Sequence, residues 1–210
     1  VYNGMPYLKE AVESILRQTY TDFRLLIVDD GSTDTSAEYL ASLTDPRIEI
    51  RHQSNMGEAE TCNRAVASVD AEFVAFLHQD DVAMPDRLQK QMDFLASHPD
   101  YACVMSTLAR RVGAKSLEYR EESGSRVVRD YESGVFGAIT PSAFCFRRNA
   151  WMEVGGMRPS VGPGGDLDLL LRWEEKARLA VFEEPLIQWR VHASASTMRG
   201  FFSYLVKSRY

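Results

Sequence analysis

The sequence predicts an α/β domain with a mainly parallel sheet covered by helices on both faces. Three observations carry the prediction. Short apolar runs alternate with segments of helical period through the first hundred residues. Two of those runs, at 23–28 and 73–77, are almost continuously apolar, as strands buried on both faces are. Each run is followed at once, or within three residues, by paired acids, Asp29-Asp30 and Asp80-Asp81.

Taken in order, Leu8, Val12, Ile15 and Leu16 fall on one helical face, with Asn3 as its cap and Pro6 in its first turn. The run at 23–28 is the first strand. Asp29-Asp30-Gly31-Ser32-Thr33-Asp34 then supplies a turn and a helix cap, and Ala37, Leu40 and Ala41 continue as a helix. Ile48-Glu49-Ile50 alternates like a strand, and Gly57 opens a helix of small residues through Ala59, Cys62 and Val66. After the strand at 73–77, Pro85 begins a helix with Leu88, Met92 and Leu95 inward. The second half is less regular. Residues 113–134 are polar and charged and read as a long surface excursion. Residues 142–146 read as a strand, and 148–154 as a short helix closed by Gly155-Gly156. A Gly/Pro-rich stretch at 161–165 precedes a helix with Leu167, Leu170 and Leu171 inward, and a last strand at 186–191 leads to His192.

With 210 residues, 45% hydrophobic and 26% charged, the chain is long enough to bury one substantial core. The net charge of −6 lacks the basic excess that nucleic acid requires, so that partner class is disfavoured. An anionic small molecule stays open, because a metal ion can receive it. The three cysteines, Cys62, Cys103 and Cys145, share no metal-ligand spacing, and their odd number argues for buried thiols in a reducing compartment. No apolar stretch approaches the ~20 residues of a membrane span, and no signal peptide is visible. Val1 reads as the exit from a strand and Tyr210 as lying inside a helix, the pattern of a fragment.

In sheets of this kind ligands gather beyond the carboxyl ends of the strands. Asp29-Asp30 and Asp80-Asp81 therefore belong to one sheet edge. Asp34 serves as a helix cap, worth ~1 kcal/mol, which leaves Asp29 and Asp30 free to accept hydrogen bonds from a base and a ribose. Asp80-Asp81 either cap an acidic loop or hold a hard divalent cation, Mg2+ or Mn2+, shared with phosphate oxygens. Asp166 and Asp168 open the late helix, as a general base or as acids favoured by the helix dipole. His192, beside Arg190, is a ligand or a structural histidine.

The order and spacing of several short segments add a resemblance. They are Tyr2-Asn3-Gly4, the 14–19 stretch, Val28-Asp29-Asp30-Gly31-Ser32-Thr33-Asp34, Asn55 with Gly57 and Asn63, Phe76-Leu77-His78-Gln79-Asp80-Asp81, Gly155-Gly156, Asp166-Leu167-Asp168 and Arg190-Val191-His192. Together they resemble family 2 of the inverting nucleotide-sugar glycosyltransferases, with the GT-A fold. The resemblance implies a Rossmann-like nucleotide-sugar half at 1–107 and a smaller, mixed acceptor-side half at 108–210. It implies that Tyr2, Asn3, Asp29, Asp30, Asn63 and Asp80 contact the nucleotide. Asp81 and His192 would meet Mg2+ or Mn2+, and Asp166 would be the catalytic base. The implied partners are a nucleotide diphosphate-sugar and a saccharide or lipid-linked acceptor. The implied setting is surface polysaccharide assembly in the cytoplasm, at the inner face of the membrane. Two positions depart from the pattern. His78 stands where relatives carry an acid, and Gly165 where they often carry Glu before the base. These departures motivate an alternative, a GT-A-like domain that binds nucleotide without transfer. A nucleotidyltransferase and a dehydrogenase are ranked low, because neither a glycine- and lysine-rich phosphate loop nor a Gly-x-Gly-x-x-Gly run follows a strand.

Overall fold

The computed structural model describes residues 1–112, 115–116, 128–130, 140–162 and 164–192. The first apolar run forms β1, Leu25–Asp29, which pairs in parallel with β2, Ile48–His52, in a register that sets Asp29 beside His52. Val1 adds strand-like bonds to β1. Its amine donates to the Val28 carbonyl at 2.6 Å, and its own carbonyl accepts from the Asp30 amide at 2.7 Å. Two helices cover this pair, α1 at Leu8–Leu16 and α2 at Ser36–Ala41. Leu8 and Val12 of α1 and Leu40 of α2 close over Ile27 as one apolar cluster. α3, Glu58–Ser68, follows β2.

The larger sheet holds β3 (Phe73–Ala75), β4 (Val82–Ala83), β5 (Tyr101–Val112), β6 (Lys115–Ser116), β7 (Val128–Asp130), β8 (Cys145–Arg147) and β9 (Arg178–Val191). Its order is β3-β8-β5-β9-β4, with β6 on β5 and β7 on β9. β5 and β9 run parallel, as a crossover through α5 (Arg148–Val154) and α6 (Gly165–Glu174) allows, while the other pairings are antiparallel. Parallel pairing thus holds at β1/β2 and β5/β9, and every other pairing among the described residues is antiparallel, which makes the larger sheet a mixed one rather than a mainly parallel one. β5 crosses the expected 107/108 division, so the two halves share one sheet.

Four local expectations are corrected. Asn3 does not cap α1, which starts at Leu8 after Tyr7; Asn3 instead turns the backbone, at φ 51°. Ser142 and Ala143 lie in a 3-10 turn that Pro141 opens, and the strand begins only at Cys145. The final strand begins at Arg178 rather than at 186. Pro185 sits at the register shift with Thr107 and breaks the pattern a reader would follow. On α6 the inward residues are Leu169, Leu170 and Trp173, whereas Leu167 and Leu171 face solvent. β6 and β7 fall within the excursion expected at 113–134, and the rest of that stretch lies outside the described residues.

The core behind the sheet is aromatic. Phe146 stacks on Trp151 at 5.1 Å, and Trp173 packs edge-on against Trp151 at 5.9 Å, which ties β8, α5 and α6 together. From α4 (Arg87–Ser97), the fully buried Arg87 donates to the carbonyls of Phe76 and Phe144 and so fixes the end of β3 against β8. Burial pulls its guanidinium down to about 10. The Gly155-Gly156 pair has a packing cause. At Gly156, φ +66°, a Cβ would stand 2.2 Å from Asn63 Oδ1 and 2.6 Å from Trp151 Nε1. Asn63 cannot give way, because it is held by the Met157 backbone on both sides of its amide. Gly156→Ala is expected to destabilise the fold by about 2–4 kcal/mol, read as a lowered denaturation midpoint at unchanged slope.

Candidate active site

At the end of β1 both acids are buried, and a buried carboxylate must find donors. Asp29 accepts from the Ser32 amide at 3.0 Å and meets His52 Nδ1 at 3.1 Å. Asp30 accepts from Gln53 Nε2 at 2.7 Å, the Met56 amide at 2.9 Å and the Gly57 amide at 3.0 Å. Neither acid is free, which corrects the expectation from sequence. Asp30 instead builds the loop that leads into α3. Gly31 permits the close approach, since a Cβ there would lie 2.9 Å from the Asn55 nitrogen. Asn3 completes the turn by accepting from the Thr33 and Asp34 amides at 2.7 and 3.2 Å. Asp34 lies one residue before the N-cap Thr35 of α2 and is not itself the cap; it accepts from the Ser36 amide at 2.9 Å and from the Met5 amide at 3.1 Å.

Burial pushes the Asp29 and Asp30 carboxyls up, but their donors prevail and hold both below the usual range. A folded value below the unfolded one gives stability that is present above about pH 4. That stability is lost as pH falls through the lowered values. The denaturation midpoint is therefore expected to fall on acidification, and to fall less in Asp30→Asn. Equal acid sensitivity in the two proteins would count against this role.

Residues 76–83 carry the second acidic group between β3 and β4 of the larger sheet, whereas Asp29-Asp30 lie at the end of the separate β1–β2 pair, which corrects the expectation of one shared sheet edge. Gln79 receives the Tyr2 amide on Oε1 at 2.6 Å and donates Nε2 to the Tyr2 carbonyl at 2.9 Å. That clamp, with the bonds of Val1 to β1, brings the two acid pairs together. Asp81 is buried, accepting from Ser142 Oγ at 2.5 Å on one oxygen and from the Arg190 amide at 3.0 Å on the other. Burial raises its carboxyl, against the opposing pull of His78 and Ser142. Arg190 Nε also donates to the Asp80 carbonyl at 2.9 Å, while its Nη2 meets Glu10 at 2.5 Å and the guanidinium lies over the Tyr7 ring. Arg111 grips the other oxygen of Glu10 at 2.6 Å, so Glu10 of α1 is held by two arginines, of which Arg190 reaches the acid loop.

One nitrogen of His78 and one oxygen each of Asp80 and Asp81 lie within 4.8 Å of one another, close enough to share an ion. The His78 Nε2 is 3.0 Å from Glu58 Oε1 at the start of α3, with the carboxylate off the ring's N–H axis, an ion contact rather than a hydrogen bond. Burial pushes the imidazole down, but Glu58, Asp81 and Asp80 lift it to about 9. Without an ion, a proton balances these acids. His192 Nε2 lies 2.9 Å from Asp80 Oδ2, and its ring packs on Tyr7 at 4.3 Å. The compact trio that could hold an ion thus consists of His78, Asp80 and Asp81, and His192 stands against Asp80.

Asp166 and Asp168 separate cleanly. Asp168 is paired with Arg172 at 2.8 Å and Arg158 at 2.6 Å, which hold its carboxyl down against burial. Asp166, half-buried in the first turn of α6, receives only the Leu167 amide at 2.9 Å among the described residues. No hydrogen bond among them joins Asp166 to the acid cluster. Asn63 spends its amide on Met157 and reaches neither acid pair through it. Gln79, Ser142, Glu10 and Glu58 carried no signal in the sequence that marked them as site residues.

A helix-flanked mixed sheet beside a short parallel pair, with acids at the end of β1 and in the turn that precedes β4, fits the GT-A architecture of nucleotide-sugar enzymes. The chain belongs to glycosyl transferase family 2, whose sequence description it matches over residues 1–155. It is 30% identical over 216 residues to the putative glycosyltransferase EpsE of Bacillus subtilis (strain 168), covering 96% of this chain and 74% of that protein. It is 34% identical over 149 residues to an uncharacterized glycosyltransferase of Nostoc sp., covering 69% of this chain but 45% of that one. The fold is similar to that of S. aureus TarS 1–349, with TM-score 0.74 at 17% identity, covering 90% of this chain and 58% of that chain. TarS in complex with UDP gives the same TM-score at 16% identity, covering 92% and 59%. The chain thus spans about half the length of the Nostoc protein and of the TarS fragment. No helix among the described residues is long and apolar enough to cross a membrane.

Proposed function

We propose that the chain transfers a sugar from a nucleotide diphosphate-sugar to a hydroxyl acceptor with inversion at the anomeric carbon. The observation that supports this most is the linking of the Asp29-Asp30 turn, through Val1 and Tyr2, to the loop of the His78–Asp80–Asp81 trio by the Tyr2–Gln79 clamp. The nucleotide lies against the loop built by Asp30 and Asn3, with the half-exposed Tyr2 ring available to the base. TarS structures in complex with UDP and with UDP-GlcNAc make a uridine diphosphate-sugar the donor to try first.

Asp166 accepts the proton of the acceptor hydroxyl as that oxygen attacks the anomeric carbon. The new glycosidic bond forms on the face opposite the breaking bond to the diphosphate, and the electron pair leaves with the nucleotide. A divalent cation, Mg2+ or Mn2+, held by Asp81 with Asp80 and His78, would neutralise that leaving group. Ser142 and Arg190 keep Asp81 aimed, and His192 holds Asp80 from the other side. The same reading assigns the chain a saccharide or lipid-linked acceptor and a place in surface polysaccharide or glycoconjugate synthesis at the cytoplasmic face of a membrane, on the sequence resemblance alone. Calorimetric titration with a panel of nucleoside diphosphates, with and without Mn2+, tests the donor site. Binding of one base only when the ion is present is the expected result. No binding to any of them would favour a domain that has lost transfer.

A further inference from the structure

The family resemblance expects an acid at position 78, and a histidine there reads as a weakened cation site. The geometry says otherwise. His78 is not turned out of the cluster, because one of its ring nitrogens lies within 4.8 Å of an oxygen of Asp80 and of Asp81. Its backbone is fixed as well, with the amide donating to Ser142 Oγ at 3.0 Å, the same hydroxyl that donates to Asp81. A carboxylate, Glu58, stands 3.0 Å from its Nε2. Metal-bound imidazoles commonly give their second N–H to a carboxylate, which fixes the ring and strengthens the ligand; Glu58 is near enough to serve, although no hydrogen bond joins it to the ring in this structure.

We propose that His78 is a metal ligand, oriented by Glu58, and that it turns an all-oxygen site into a mixed nitrogen–oxygen one that prefers Mn2+ or Co2+ to Mg2+. Resting on the donor-site reading above, the inference adds ion selectivity to it. The chemistry follows from the donors. Mg2+ demands oxygen ligands in near-ideal octahedral geometry and gives up water reluctantly, whereas first-row transition ions accept imidazole readily. Glu58 keeps the acidity that His78 removes from the loop, one step further out. A plain ion pair between Glu58 and His78, tying α3 to the end of β3, is the competing account, and it predicts no nitrogen on the ion.

Electron paramagnetic resonance of Mn2+, alone and with inorganic pyrophosphate, separates the two. Pulsed measurements on the whole chain are expected to show histidine nitrogen coupled to bound Mn2+. The coupling disappears in His78→Asp, which supplies the family's acid and keeps a ligand in place. Competition titration is expected to show the Mn2+ over Mg2+ preference falling by about tenfold in His78→Asp, and by less in Glu58→Gln. Bound Mn2+ without nitrogen coupling, or an unchanged preference in His78→Asp, overturns the inference and leaves the cation site standing. No bound Mn2+ in the wild-type chain, even with pyrophosphate, overturns both.

Discussion

Asp166→Asn is expected to lower turnover by about a thousandfold while leaving donor affinity unchanged, the range a positioned general base supplies. The substitution is nearly isosteric. Asp166 uses one oxygen to receive the Leu167 amide at 2.9 Å, and an asparagine carbonyl can do the same, so α6 keeps its first turn. What is lost is the ability to take a proton. Asp168→Asn is the informative control. It removes the anionic partner of Arg158 and of Arg172, whose guanidinium also donates to the Val154 and Gly156 carbonyls. Its effect therefore falls on stability at the α5–α6 junction. Single-turnover rates alongside donor titrations read both variants. Unchanged turnover in Asp166→Asn would remove it from the role of base.

The sequence alone did not divide these two acids, since both suit the first turn of a helix. Yet Asp168 and Arg172 stand four apart on one helical face, a pairing that local spacing makes visible. Only Arg158, brought in from the turn before α6, had to await the structure. The acidic end of β1 was legible, since the apolar run stops at Asp29-Asp30; Asp80-Asp81 were misplaced, because β3 is only part-buried and ends at Ala75, and the pair instead leads into β4. The partners of these acids were not legible. The donors to Asp30 come from Gln53, Met56 and Gly57, more than twenty residues away in the chain, and nothing in those residue types announces the contact. The same holds for β5. Its first residues are among the most buried in the molecule, but its second half, Leu-Ala-Arg-Arg-Val, carries the charges of an exposed segment. Pairing with β9, not composition, makes it a strand. The outward Leu167 and Leu171 mislead in the opposite sense, because helical spacing alone cannot tell which of two apolar faces turns, with Trp173, toward Trp151.

Asp81→Asn is expected to lower Mn2+-dependent donor affinity by at least about a hundredfold, with folding stability unchanged or raised. The two halves of this result have one cause. Asp81 is buried, and its burial lifts the carboxyl above its ordinary range, so the charged form is disfavoured by the fold that holds it. Removing the charge relieves that penalty. An asparagine also fits the donors present. Its carbonyl can accept from the Arg190 amide, and its NH2 can face Ser142, whose hydroxyl rotates to accept instead of donating. The backbone of the acid loop then keeps its course, held by the Tyr2–Gln79 clamp and by Arg190 on the Asp80 carbonyl. A cation, by contrast, loses the anion best shielded from water. Calorimetry with and without Mn2+, set beside chemical denaturation of the same two proteins, reads both quantities. If affinity and stability fall together, Asp81 is a structural residue of the loop. If affinity falls and stability holds or rises, the strained charge is kept for the ion.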